Sequence, residues 1–202
     1  MVSRFVAKQL SRPAGLAGWL TRTLMNRGNA ALNGFALEQL ALTPDDRVLE
    51  VGFGGGVLLP RLLDRAGFVC GVDRSPDVVS AAQGRFAPAI HAARVEFKVG
   101  AIESLPLPDA SFDKALSVHT VYFWNSLAAG CAELARILRP GGRIVLGFLP
   151  KAHMDRMNMP PDVFTPRTPD DVLDALNGAG LSNPELRRSG QRNWAVATAT
   201  KN

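Results

Sequence analysis

Residues 48–56 read VLEVGFGGG, a short apolar run that ends in a cluster of glycines. The run predicts a buried β-strand, and glycines between a first strand and a helix let the backbone turn tightly and let a ligand approach closely. Asp73 ends the next apolar run, residues 68–73, and lies 21 positions after Gly52. In a doubly wound sheet these two strand ends are neighbours, and a carboxylate there suits the paired hydroxyls of a ribose. The pattern therefore predicts a site for a nucleoside or a nucleotide.

Strands and helices alternate on both sides of this stretch. Apolar runs predict strands at residues 47–51, 68–73, 94–99, 112–118 and 143–149. Such alternation predicts a parallel sheet covered by helices on both faces. Two further strands, predicted at 183–188 and 193–200, are joined by a short link and indicate an antiparallel pair. We therefore expect an α/β fold with a Rossmann-like, doubly wound, seven-stranded sheet, mostly parallel, that ends in an antiparallel hairpin.

The composition is that of one folded domain. The chain has 202 residues, of which 47% are hydrophobic and 20% are charged, which excludes a disordered chain and a coiled coil. We expect a single domain over 1–202, made of a helical cap (1–43), a cofactor-binding core (44–150) and a lid loop, helix and hairpin (151–202). Residues 151–168 show no periodicity and are predicted to form an irregular connection.

The scarce thiols and imidazoles exclude several kinds of site. The two cysteines are too few for a disulfide framework, and the three histidines have no metal-binding spacing, so we expect no metal. Two cysteines also fit a reducing compartment, and we expect a cytoplasmic protein. No run approaches the roughly 18–20 apolar residues that cross a bilayer, so no membrane span is expected.

Positive charge is concentrated at the N-terminus. Residues 1–37 contain five Lys or Arg and no acid, and the rest of the chain carries 18 charges of each sign. The net charge of +5 therefore belongs to this basic arm. Three interpretations of the arm stay open. It forms amphipathic helices, over 16–24 and 30–42, that pack on the domain; it is a targeting segment; or it mediates weak peripheral association with a membrane.

The glycine loop departs from the dinucleotide fingerprint, because Val57 stands where the third glycine is required. This argues against a nicotinamide-dependent oxidoreductase. Four stretches instead resemble motifs of the class I S-adenosylmethionine-dependent methyltransferases, especially the small-molecule branch called methyltransferase type 11. The four stretches are residues 48–56, 71–75, 105–113 and 136–143.

The resemblance implies S-adenosyl-L-methionine as cofactor and S-adenosyl-L-homocysteine as product. The cofactor-binding residues that it implies are Glu50, Gly52, Phe53, Gly54, Asp73, Arg74, Ala101, Ile102 and Ser117. Asp73 would take both ribose hydroxyls, and Arg74 would border the adenine. Ala101 departs from the family, which frequently has an acid there for the adenine amino group. Glu103 either compensates for it or is a solvated acid at a helix start.

The resemblance also implies in-line methyl transfer to a small-molecule acceptor. His119 ends the fourth predicted strand, beside the expected cofactor, and a neutral imidazole there can act as a general base. We therefore predict His119 and Tyr122 as catalytic residues, with the alternative that His119 only lines the pocket. The predicted substrate pocket consists of Trp19, Phe123, Trp124 and Met154.

Two other functions stay open. One is a non-catalytic cofactor-binding module, and the other is an RNA-directed methyltransferase that docks through the basic arm. The chain contains no arginine run and no aromatic-rich RNA module, so nucleic acid is the less favoured partner.

Overall fold

The computed structural model describes residues 30–157, 159–188 and 193–202, and their strands form one seven-stranded sheet. The strands are β1 (Arg47–Val51), β2 (Phe68–Asp73), β3 (Val95–Val99), β4 (Phe112–Val118), β5 (Leu138–Phe148), β6 (Leu181–Arg188) and β7 (Ala195–Lys201). Their order across the sheet is β3-β2-β1-β4-β5-β7-β6. Neighbours among β1 to β5 are parallel, whereas β7 is antiparallel to β5 and to β6. The predicted Rossmann-like doubly wound sheet with its C-terminal hairpin is confirmed.

Helices cover both faces of this sheet. They are α1 (residues 30–39), α2 (Leu59–Leu63), α3 (Pro76–Arg85), α4 (Ala87–His91), α5 (Leu127–Ile137), α6 (Lys151–Arg156) and α7 (Pro169–Gly178), with a turn of 3₁₀ helix at Val121–Phe123. One hydrophobic cluster involves α1 to α3 and contains Val48, and the other involves α5 and α7 and contains Leu49 and Val51. Alternate residues of β1 thus face opposite sides, as in a strand that is buried on both faces.

Side-chain caps explain where two of these helices begin. The Ser75 hydroxyl accepts a hydrogen bond from the Val78 amide, and Pro76 occupies the first position of α3. At α7, Thr168 and Asp171 form a capping box, in which each side chain accepts from the other residue's backbone N–H. These residue types favour helix starts because their side chains satisfy amides that have no partner within the helix.

The irregular connection predicted at 151–168 is wrong in its first third, where α6 occurs. This helix has six residues, and Met154 is its buried member. Lys151 and Asp155, one turn apart, form an ion pair of 2.9 Å on its exposed side. One turn and a half contains too few apolar positions for a period of 3.6 residues to show in a sequence.

The helix predicted at 16–24 lies outside the described residues, and the helix predicted at 30–42 ends at residue 39. No helix within the described ranges is long and apolar enough to cross a membrane.

We expect Thr168→Ala to reduce the free energy of unfolding by about 1 kcal/mol, because the amide of Asp171 loses its acceptor. Chemical denaturation of the two proteins measures the difference. Thr168→Ser keeps a hydroxyl at the cap and should retain most of the stability. Equal stability of the alanine and wild-type proteins would show that the box does not hold the start of α7.

Candidate active site

A cavity of about 460 Å³ opens at the carboxyl ends of β1, β2 and β4, where the chain order of the sheet reverses. Ligands of doubly wound sheets bind at such a point, and small-molecule sites commonly have volumes of about 300–1,000 Å³. The described part of its wall has a polar side, formed by the strand ends and the glycine loop, and an apolar side, formed by aromatic and methionine side chains.

The glycine loop after β1 is held to the end of β2 by Asp73. One carboxylate oxygen of Asp73 accepts from the Gly54 amide and the other from the Ser75 amide, both at 3.0 Å. Gly52 and Gly54 have φ values of 71° and 51°, which glycine adopts without steric cost. A Cβ on Gly52 would lie 2.5 Å from Thr120, whereas one on Gly54 would meet no atom within 4 Å. The loop therefore turns tightly against the protein at Gly52 and leaves open space at Gly54.

Glu50 places a second carboxyl at this end of the sheet. Its residue is 5% exposed, and its Oε2 atom is buried without a hydrogen-bond partner among the described residues. Burial, and next the charge on Asp73, raise the pKa of Glu50 to about 8. The carboxyl is therefore mainly protonated at neutral pH in the free protein, and a positively charged ligand group beside it would favour its ionised form.

The loop after β3 forms the next part of the polar side. Ala101, Ile102 and Glu103 all line the cavity. Glu103 Oε1 accepts from the backbone amides at 125 and 126, at 2.7 and 3.4 Å, so this carboxylate caps the segment that leads into α5. Glu103 itself lies in a turn and begins no helix, and it also lines the cavity.

Arg136 and Glu133 of α5 hold this loop in place. Arg136 donates to the carbonyl oxygens of Leu105 and Leu107, at 3.2 and 2.8 Å. Glu133 accepts from the Leu105 amide at 2.7 Å and pairs with Arg136. These contacts join the predicted motif at 105–113 to the motif at 136–143 and position the loop that carries Ile102.

Ser117 lies behind the wall of the cavity. It is fully buried, and its hydroxyl donates to the Val51 carbonyl at 2.7 Å. Since that hydrogen is used, the contact of 2.5 Å between the Ser117 and Thr120 hydroxyls has Thr120 as donor. Thr120 in turn accepts from the indole N–H of Trp124 at 3.2 Å. The chain of bonds joins the apolar side of the cavity to the end of β1, and Ser117 supports the polar side from within.

His119 and Tyr122 meet at the edge of the apolar side. Nδ1 of His119 lies 2.7 Å from the Tyr122 hydroxyl, and Nε2 is buried with no partner among the described residues. Burial lowers the pKa of the His119 imidazole to about 4 and raises the pKa of the Tyr122 phenol. Both side chains are therefore neutral at pH 7, and the imidazole is a weaker base than the sequence led us to expect.

Aromatic rings and methionines form the rest of the apolar side. Phe123 packs on Tyr122 and Phe164, with ring centroids 5.2 and 4.9 Å apart. Met154, Met157 and Met159 also line the cavity. Phe164, like Thr120, was missed by the sequence analysis. Phe164 stands in a segment without periodicity, so no pattern distinguishes it, whereas Thr120 directly follows a predicted site residue.

The structure brings most of the predicted site residues to one cavity. Its wall includes Glu50, Gly52, Phe53, Gly54, Asp73, Arg74, Ala101, Ile102, His119, Tyr122, Phe123, Trp124 and Met154. Arg74 lies at the mouth between the two sides, with its guanidinium carbon 5.9 Å from the centroid of the Phe123 ring. Trp19 and most of the basic arm lie outside the described residues.

Known proteins match both the sequence and this geometry. The sequence pattern of the methyltransferase domain family matches residues 49–146. YdaC of Bacillus subtilis (strain 168), an uncharacterized methyltransferase, is 34% identical over 130 residues, which are 63% of this chain and 70% of YdaC. The chain belongs to the class I S-adenosylmethionine-dependent methyltransferases. The methyltransferase spans 32%, 40% and 49% of the lengths of three further curated relatives.

Solved structures agree with this family in their fold. A putative methyltransferase from Haloferax volcanii, solved with the activator Trm112, superposes with a TM-score of 0.78 at 19% identity and 99% coverage of both chains. The geranyl diphosphate C-methyltransferase of Streptomyces coelicolor A3(2), solved with S-adenosyl-L-homocysteine, gives 0.74 at 16% identity, with 86% of this methyltransferase and 77% of that chain covered. The family resemblance found in the sequence is confirmed, and the oxidoreductase alternative is set aside.

The buried carboxyl of Glu50 makes the stability of the methyltransferase depend on pH. Its pKa is near 4.5 in an unfolded chain and about 8 in the folded one, so the folded state holds an extra proton between these values. The contribution of this group to the free energy of unfolding is fully present below pH 4.5 and is lost progressively as the pH rises from 4.5 to 8. Glu50→Gln, which stays neutral, should therefore be more stable than the wild type, by a margin that grows up to pH 8 and then levels off.

Urea denaturation at a series of pH values measures this margin. Glu38→Gln removes an exposed carboxyl and should leave the pH dependence of stability unchanged. A Glu50→Gln protein that is less stable than the wild type at pH 8 would show that the carboxyl is ionised in the folded state.

Proposed function

We propose that this methyltransferase transfers a methyl group from S-adenosyl-L-methionine to a small-molecule acceptor by in-line displacement, and that the cavity at the ends of β1, β2 and β4 holds both. The observation that carries the proposal is the division of this one cavity. Its polar side presents Glu50, Asp73 and an open glycine loop, and its apolar side presents rings and methionines. A charged nucleoside fits the first side, and a compact acceptor fits the second.

The polar side suits the cofactor in three respects. Glu50 Oε2 is a buried acceptor without a partner among the described residues, which suits a positively charged group. Asp73 places in the cavity wall a carboxylate that two backbone amides hold, and a carboxylate is an acceptor for ribose hydroxyls. Gly54 leaves space where any side chain would project. When bound, S-adenosyl-L-methionine supplies an electrophilic methyl group on its positively charged sulfonium sulfur.

Glu50 and Asp73 also act on each other in this proposal. The charge on Asp73 makes Glu50 harder to ionise, and this effect is part of the raised pKa of Glu50. A cofactor that carries positive charge offsets this repulsion, so its binding should release a proton from Glu50 near neutral pH. The residues of the polar side then bind the cofactor and position it against the wall opposite.

The apolar side orients the acceptor and excludes water. Tyr122, Phe123 and Phe164 pack on one another, and their rings are rigid surfaces for a planar or apolar molecule. Met154 and Met159 are flexible side chains that adapt to an irregular shape. Alignment of the two reactants in this space can lower the barrier by about 7–11 kcal/mol.

The proposal is tested by calorimetric titration with S-adenosyl-L-methionine and S-adenosyl-L-homocysteine. Asp73→Ala should weaken binding of both at least tenfold, because it removes a charged acceptor for the ribose and frees the Gly54 amide. Asp77→Ala removes a nearby exposed carboxyl outside the cavity wall and should bind both as the wild type does.

A wild-type protein that binds neither compound would refute the cofactor proposal. Equal affinity of the Asp73→Ala and wild-type proteins, with both folded by circular dichroism, would refute the role of Asp73 and leave the cofactor itself established.

A further inference from the structure

The backbone at His119 is held in an uncommon conformation. Its φ value is 60°, in the left-handed region that residues with a Cβ seldom occupy, although His enters it more readily than most. The amide of His119 donates to the Gly147 carbonyl of the neighbouring β5 at 2.8 Å. Such a conformation costs on the order of 1–3 kcal/mol and persists where the surrounding structure fixes it. Here it turns the chain at the end of β4 and places the imidazole in the cavity wall.

The contact with Tyr122 indicates which ring nitrogen carries the proton. A phenol is a stronger hydrogen-bond donor than a neutral imidazole N–H, and an imidazole nitrogen is a stronger acceptor than a phenol oxygen. The separation of 2.7 Å is usual for an O–H donor and lies at the short end of the range for N–H donors. The stronger arrangement therefore has the Tyr122 hydroxyl donating to Nδ1, which leaves the hydrogen of the neutral ring on Nε2.

The alternative arrangement leaves more buried groups without partners. If Nδ1 carried the hydrogen, the enclosed Tyr122 O–H would have no acceptor among the described residues, and Nε2 would be a buried lone pair without a donor. Tyr122 is 4% exposed, so water has little access to its hydroxyl. A buried donor without a partner costs about 1–3 kcal/mol. With the hydrogen on Nε2, one buried N–H is left without a partner among the described residues, and it belongs to a residue of the cavity wall.

We propose that Nε2–H of His119 donates a hydrogen bond to an oxygen of the methyl acceptor, and that the acceptor is a planar phenol or enol that reacts as its oxyanion. The inference rests on the proposed function and specifies the acceptor of that same site. His119 is then a catalytic residue that stabilises the anion of the acceptor, and the proton of the acceptor leaves to solvent. Tyr122 is a positioning residue that fixes the tautomer of His119.

The chemistry of the cavity wall favours this class over amines and thiols. The neutral imidazole is a poor proton acceptor, so an acceptor that needs a base to lose its proton gains little from it. A donor in a low-dielectric wall stabilises an oxygen anion strongly, which makes a phenol or enol more acidic when bound. The rings of Phe123 and Phe164 offer flat surfaces on which the ring of such a molecule can pack.

The tautomer is tested by nitrogen-15 NMR of the imidazole rings. His119 should show a protonated Nε2 and an unprotonated Nδ1 from pH 6 to pH 8, and His91→Ala, which removes an exposed imidazole, should leave these signals unchanged. Tyr122→Phe removes the donor to Nδ1 and should produce a mixture of tautomers or the Nδ1–H form. A wild-type protein with its hydrogen on Nδ1 would overturn the proposal.

The acceptor class is tested with 4-nitrophenol, whose phenol titrates near neutrality and whose anion absorbs visible light. Bound to the complex with S-adenosyl-L-homocysteine, its anion should be favoured over the phenol roughly tenfold more than in water. His119→Ala should abolish this preference, and Tyr122→Phe should reduce it. A preference for the neutral phenol, or no binding of the probe by a protein that binds S-adenosyl-L-homocysteine normally, would overturn the acceptor inference alone. Loss of binding of S-adenosyl-L-homocysteine would overturn the proposed function and this inference together.

Discussion

The carboxylate of Asp73 joins the two strand ends on which the rest of the site depends. It accepts from the amide of Gly54, in the loop after β1, and from the amide of Ser75, which caps α3. One side chain therefore sets the shape of the glycine loop and the start of the helix beyond β2. The charge on this side chain also raises the pKa of Glu50. Two carboxyls therefore lie at this end of the sheet, on residues that are 7% exposed (Asp73) and 5% exposed (Glu50). Such a site stabilises the protein less than apolar packing would, and in the proposed function it binds positive charge.

The two sides of the cavity are mechanically connected through one chain of hydrogen bonds. It runs from the Trp124 indole through the hydroxyls of Thr120 and Ser117 to the Val51 carbonyl, directly before the glycine loop. Each hydroxyl in it donates once and accepts once, so its direction is fixed. The methyl group of Thr120 also lies where a Cβ on Gly52 would project. The apolar side of the cavity is therefore joined to the glycine loop both by hydrogen bonds and by close packing.

The general fold and the polar side of the cavity were predictable because their signals are local. Strand ends, glycines and caps occupy contiguous residues, and the parallel order of β1 and β2 brings Asp73 beside the loop that starts at Gly52. The helix at 151–156 was missed because six residues cannot show a period, and Phe164 was missed because its role depends on packing against residues about 40 positions earlier. Ser117 was predicted to meet the cofactor, and the structure instead turns its hydroxyl to Val51. A pattern along the chain identifies the end of a strand, but the direction of one hydroxyl follows from its neighbours in three dimensions.

The protonation of His119 likewise depends on its neighbours in three dimensions and not on its place in the sequence. In the sequence it is a histidine at a strand end, and an imidazole with its usual pKa would be a reasonable base. Burial lowers that pKa, and the phenol of Tyr122 occupies Nδ1. Because the two effects come from packing, they act together: the enclosure that makes the ring a poor base also makes a single N–H in it a strong donor. The left-handed backbone at φ 60° is consistent with this, since the conformation is costly and leads the imidazole to the cavity wall.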